Sequence, residues 1–339
     1  MADAVTLPSD IFRPEVCRDL FGYELSDSLQ LLDGAVGTGA DSPVQVIGLG
    51  NIQGRASTVQ QPVLKEISNL VTSRDITSIS DIDTLKLDGR NDIGVIKHLK
   101  VGPVAYTPDA AFLTKASAEA IMAEFARQAA NKVRVAMQSS ITNALYGIIS
   151  GMTASVHTLD VWATDSRTNF GPSLMTQGLQ KMAEFDDRIT FMLMRSEALQ
   201  DLRDDNIGRA YAGVGDVVLK GGSPMTLGRR YGVVNESILT ASDAGFNKYR
   251  TLFLGPGVLR VEFSRPPVMY PPVMFVDKDT VQIQLRMDLD YTILPVGASW
   301  GGGANPADSD LATPGNWTPT YSSHKEVHGV YLQHNYSGN

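Results

Sequence analysis

The chain has 339 residues, a formal net charge of −8, and 43% hydrophobic against 19% charged residues. That length holds two or three core-bearing units of ordinary globular composition, and the lack of clustered Lys or Arg argues against sequence-specific nucleic-acid binding. The single cysteine, Cys17, excludes an intrachain disulfide; with no basic leader and no apolar run near the ~18 residues of a membrane span, a soluble cytosolic protein is expected.

Residues 1–44 read as an N-terminal arm. Ile11, Phe12, Val16, Leu20 and Phe21 outline a short amphipathic helix begun at Pro14, after which Gly34, Gly37 and Gly39 break regular structure. Such an arm packs on a neighbour or stays free. Residues 45–106 read as a long extended loop carrying a β-ribbon. Val44, Val46 and Ile47 suit a strand, Ile76 to Leu87 lie among Thr, Ser and Asp, and Asp88-Gly89 is a hairpin signal. Val95 and Ile96 then precede a basic edge at Lys97, His98 and Lys100. This segment has too little apolar mass for a core of its own, so other surfaces are expected to cover it.

Residues 107–154 carry the strongest helix signal. Thr107, Pro108 and Asp109 are a cap residue, a first-turn proline and an acid at the positive end of the helix dipole. From Ser117 to Ile149 there is no proline and one glycine, Gly147, while alanine recurs. Ile121, Phe125, Ala129, Val133, Met137, Ile141, Leu145 and Ile149 form a row at spacing four, which drifts ~40° per step round a 3.6-residue helix. The apolar face therefore winds, and one long helix of roughly 30 residues, about 45 Å, meets different neighbours along its length.

Residues 155–265 read as a compact α+β unit. Leu174, Met175, Leu179, Met182 and Phe185 mark a helix; Ile189 to Met194 mark a buried strand; Ser196 caps a second helix with Ala198, Leu199 and Leu202. Short strands are expected at Val217–Leu219, Met225–Leu227, Tyr231–Val234 and Leu252–Leu254. In residues 266–297, apolar residues at odd positions from Val281 to Ile293 alternate with Gln282, Gln284, Arg286, Asp288, Asp290 and Thr292. That strand, of roughly 40 Å, matches the helix in reach. The two suit opposite layers of one slab. Residues 298–339 are rich in Gly, Asn and Pro, hold Trp300 and Trp317, and close strand-like at Val327, Val330 and Leu332.

Chemistry is sparse. Val46-Ile47 followed by Gly48, Gly50 and Gly54 approaches a dinucleotide fingerprint, with Glu66 placed for a ribose contact, but Gln60, Gln61 and Pro62 interrupt the helix that would hold the pyrophosphate. A nicotinamide enzyme using Gly48–Gly54 stands as the alternative. His324, His328 and His334 cluster without a cysteine, and on a strand His324 and His328 would sit two pleats apart. His157 near Asp160 forms no triad signature, and Asp81, Asp83 and Asp88 lack calcium-loop spacing. No catalytic, cofactor-binding or metal residue is assigned.

Local segments carry a resemblance. Met194-Arg195-Ser196 leads into a helix with Asp204-Asp205-Asn206-Ile207. Leu254-Gly255-Pro256-Gly257 and Leu294-Pro295-Val296-Gly297-Ala298-Ser299-Trp300 follow. Pro306, Leu311-Ala312, Asn316-Trp317, Lys325 and Leu332-Gln333-His334-Asn335 then occur in order. Over residues 75–339 the chain resembles the major capsid proteins of tailed bacteriophages with the Hong Kong 97-type fold.

The resemblance implies an α+β capsid fold with an N-terminal arm (1–44), an E-loop (45–106) and a P domain of spine helix (107–154) and long strands (266–297). It also implies an A domain (155–265) and a C-terminal segment (298–339). It implies self-assembly into hexamers and pentamers, an icosahedral virion shell around double-stranded DNA, assembly in a bacterial cytoplasm, and no enzymatic activity. A separate scaffolding protein is expected because the N-terminal part shows no long helical, charged extension that would serve as a built-in scaffold, together with a portal and decoration proteins. Some relatives crosslink lysine to asparagine, and Lys86, Lys97 and Lys100 lie in or near the loop. An encapsulin-like nanocompartment shell would share the fold.

Overall fold

The computed structural model describes residues 17–21, 36–37, 41–47, 58–64, 89–107, 118–162, 169–213, 226–243, 246–276, 281–321 and 323–335. Helix α1, Ala118–Ser150, runs 33 residues, about 50 Å. Every member of the spacing-four row from Phe125 to Ile149 is buried, and Ile121 is half-buried. The strip winds as its spacing dictates. Over the last turns Ser140, Thr142, Ala144 and Ile148 are buried too, so the helix is enclosed nearly all round at that end. The start signal at Pro108 and Asp109 lies outside the described residues.

Among the described residues the first sheet has seven strands. Its order is β1 (Val36–Gly37), β2 (Val44–Ile47), β10 (Leu259–Met269), β12 (Val281–Pro295), β4 (Gly89–Tyr106) and β3 (Thr58–Leu64), with β11 (Val273–Val276) also paired to β12. β12 spans 15 residues, about 50 Å. Its odd residues from Ile283 to Ile293 are buried against α1, as the alternation predicts, and this contact makes the larger core. Near Pro295 both faces are covered.

The second sheet orders β5 (Thr158–Asp160), β15 (Gly329–His334), β9 (Phe246–Leu254), β6 (Phe191–Met194) and β7 (Arg230–Val233), with β8 (Thr240–Asp243) on β9. Period-two alternation splits its side chains between two cores. Phe191, Leu193, Leu252, Leu254 and Tyr331 join the α1 core. Met192, Met194, Phe253, Val330 and Leu332 face helices α2 (Pro172–Gln180) and α3 (Ser196–Gly213). The unbroken apolar run at Phe191–Met194 is thus the signature of a strand covered on both sides. A short hairpin, β13 (Ala298–Trp300) with β14 (Trp317–Pro319), and helix α4 (Asp308–Ala312) clasp the end of α1.

Several expectations change. Residues 17–21 are helical as expected, but Cys17 and Phe21 are buried in this chain's own core, with the Cys17 thiol donating to the Met122 carbonyl at 3.7 Å. Gly37 belongs to a short strand rather than a break. Residues 89–97, read as part of a projecting loop, lie inside the first sheet between β3 and β12. Arg90, Asp92, Val95, Ile96 and Lys97 are all buried there. The ribbon itself is present, since Leu64 pairs with Gly89 and Thr58 with Val95.

β3 falls within the extended segment but was not singled out; Pro62 is tolerated there because, among the described residues, β3 is the terminal strand of the sheet with one side unpaired. Leu227 is in a turn at φ 51, not a strand. Val217–Leu219 and Met225 lie outside the described residues. Ser196 does not cap α3 alone: the Asn235 side-chain oxygen accepts from both its backbone N–H (3.2 Å) and its hydroxyl (3.0 Å). β10 begins within 155–265 yet pairs in the first sheet, and β15, from 298–339, lies inside the second.

Candidate functional site

The two ends of the α1–β12 slab differ in how they are finished. At the C-terminal end of α1, Gly147 lets the C-terminal segment touch the helix backbone. A Cβ there would collide with the Leu311 carbonyl oxygen and lie 2.8 Å from Trp317 Nε1. The Trp317 indole N–H donates to that carbonyl at 2.8 Å, and Trp300 packs edge-on at 4.7 Å.

Buried polar groups fix the same end. Lys97 Nζ donates to Ser140 Oγ (2.9 Å) and to Asp308 Oδ1 (2.5 Å), tying β4 to α1 and α4. Burial pushes the Asp308 carboxyl up, but the Lys97 and Ser140 hydrogen bonds outweigh it and hold its pKa low. Arg90 pairs with Asp92 (3.3 Å) and Glu326, while Asp92 accepts from the Gly297 N–H at 3.0 Å and the Thr320 hydroxyl at 2.5 Å. These groups pin the C-terminal segment to β4.

The residues weighed for chemistry are dispersed or engaged. Gly48–Gly54 and Glu66 lie outside the described residues, but the chain resumes as strand β3 at Thr58–Leu64, where a nucleotide site needs a helix. Asp81, Asp83, Asp88 and Lys86 also lie outside them. Lys97 is the buried ion-pair partner of Asp308. His324 sits in a 3-10 turn and His328 precedes β15, so the segment is not the strand expected.

Nor do the remaining histidines assemble a reactive group. His157 Nδ1 donates to the Gly329 carbonyl at 2.7 Å, while Asp160 accepts from the Trp162 N–H and the Gln333 amide. The two are therefore not partners. His334 is wholly buried: Nδ1 donates to the Asn335 carbonyl, Nε2 accepts from the Thr251 hydroxyl, and burial lowers its pKa to about 4. Among the described residues, no three His, Cys, Asp or Glu are grouped to hold a metal ion, and no helix is long and apolar enough to cross a membrane.

The other end of the slab is unfinished. A groove of 690 Å³ opens between the N-terminal half of α1 and the strands beneath it, with Leu99, Val101, Val104, Phe125, Ala129 and Leu285 in its walls and Lys100 and Lys132 at its rim. Beside it β11 is exposed along its whole length: Val273 51%, Met274 48%, Phe275 52% and Val276 70%. Sequence reasoning missed this surface. The signal was there in Val-Met-Phe-Val, an apolar run without alternation that follows two prolines.

Such a chain, closed at one end and bare at the other, suits a subunit of a larger body. Residues 44–331 match the Gp13-like family, described as major capsid protein 13-like. The chain belongs to this family. It is a structural, shell-forming capsid protein with the Hong Kong 97-type fold, and its place is the virion capsid. Among solved structures, the capsid of cyanophage Pam1 is similar at TM-score 0.58 and 13% identity, covering 90% of this chain and 91% of that one. The capsid of Ralstonia phage GP4 gives 0.53 and 10%, covering 89% of each. The acidic stable capsid of Helicobacter pylori bacteriophage KHP30 gives 0.51 and 9%, covering 88% and 90%. At these identities the likeness is one of fold. Comparison with curated proteins returns no match.

Proposed function

We propose that this capsid protein forms hexameric and pentameric rings that close an icosahedral shell around double-stranded DNA, in the cytoplasm of a bacterial host. The observation that carries the reading is the apolar surface a lone copy leaves in water, four consecutive residues of β11 above all. In this reading residues 1–44 are the arm, 45–106 the E-loop, 107–154 with 266–297 the P domain, 155–265 the A domain and 298–339 the C-terminal segment. A subunit whose apolar surface waits for neighbours needs guidance while the shell grows, which gives a separate scaffolding protein its role. A portal would admit DNA, and decoration proteins would bind the outer face. The acidic balance of −8 weakens adhesion between wall and genome.

The ribbon offers the test. Leu64 lies opposite Gly89, so residues 66–87 can be replaced by a short Asn-Gly turn without moving β3 or β4. The variant is expected to melt like the parent and to lose shells by negative stain, while the parent sediments as rings or shells. A parent that remains a folded monomer at high concentration, or a variant that still builds normal shells, overturns the reading.

A further inference from the structure

Exposed β11 and the apolar groove lie side by side in one sheet. β12 separates them: Gln284 faces Val273 of β11 on one side and Ala105 of β4 on the other. The strand therefore stands two strand spacings, about 10 Å, from the groove wall. Among the described residues β11 is bonded to β12 along one side only, and a bare apolar edge strand is a pairing and aggregation hazard unless something covers it.

The groove answers it in size and charge. Its walls follow α1 from Ala120 to Ala136, about 24 Å, whereas four extended residues need about 13 Å. Glu124 at the groove is held by Arg127 and Gln128, whose hydrogen bonds lower its pKa to about 2. Lys100 and Lys132 make no ion pair among the described residues, so they leave the rim positive. The sequence directly after β11, Asp277-Lys278-Asp279, is net negative.

We propose that β11 of one copy seats in the α1–β4 groove of the next, with Phe275 as the anchor. This deepens, and rests on, the shell-forming reading. Because strand and groove are different patches at the same end of the molecule, the contact is heterologous. Repeated about an axis beside that end, it closes a ring, and every copy both gives a strand and receives one. An anchor of this kind carries a large share of an interface's binding energy.

Two variants test it. Phe275→Cys with Ala136→Cys is expected to give covalent oligomers when assembled particles are oxidised; the parent, whose Cys17 is buried, and each single variant give none. Phe275→Asp is expected to melt like the parent, since the side chain is half exposed, and to lower the assembled fraction about tenfold or more. Oligomers from Phe275→Cys alone would mean that two edges meet each other and would overturn the proposal. Particles that assemble but do not crosslink would overturn it too. Full assembly of Phe275→Asp would sink it outright. A parent that forms no particles fails the shell reading itself, a different result from any of these.

Discussion

The two ends of the slab use the same helix and the same strand, yet they treat apolar surface in opposite ways. From Met137 to Ile149, α1 is sealed by β12, by the second sheet and by α4, with the buried Lys97 ammonium bonded to Ser140 and Asp308. From Ala120 to Ala136 one flank faces the groove, and Val104 and Val135 remain half exposed. The contrast separates two tasks. One end holds the subunit's fold; the other keeps interaction energy in reserve for its neighbours.

The largest effect should come from filling the contact that seals the closed end. Gly147→Val drives a branched side chain into the Leu311 carbonyl and Trp317, and neither backbone nor indole can yield. A loss of about 3 kcal/mol or more is expected in chemical denaturation. A variant as stable as the parent would show that the clasp is loose.

Acid should weaken the second sheet next. His334 titrates near 4 when folded against 6.5 unfolded, so the native state binds fewer protons between those values. Stability is therefore full above about pH 6.5 and falls as pH drops toward 4, by up to about 3 kcal/mol. Melting curves across this range check the slope, and His334→Gln should flatten it. At the open end the smallest change is expected. Val104→Ser, with Val104 49% exposed, should alter the stability of the isolated subunit by no more than about 0.5 kcal/mol while reducing assembly. A large loss of stability there would erase the distinction between the ends.

Legibility in the sequence followed the same division. The spacing-four row of α1 and the alternation of β12 are periodic signals set by burial within one chain, and both elements lie where periodicity put them. Gly147 stood out as the one glycine of the helix, though its reason, contact with Leu311 and Trp317, needs tertiary structure. What escaped were features decided by position in a sheet. Pro62 suits β3 because the strand is terminal, and β4 is interior because β12 pairs along it, neither of which a local pattern records. The open end was the hardest part. Val273–Val276 resembles any buried strand, and no local pattern distinguishes it from one although all four residues are exposed.

The indole pair has a practical consequence. Of the three tryptophans, Trp300 and Trp317 are buried together against the closed end, while Trp162 lies under the Lys248 ammonium at 3.9 Å in the second unit. None of them lines the groove or β11. Intrinsic fluorescence thus reports whether a subunit is intact and stays silent as subunits join, whereas light scattering follows joining alone. Recorded together on one sample, the two optical signals time folding and polymerisation separately, with no dye attached.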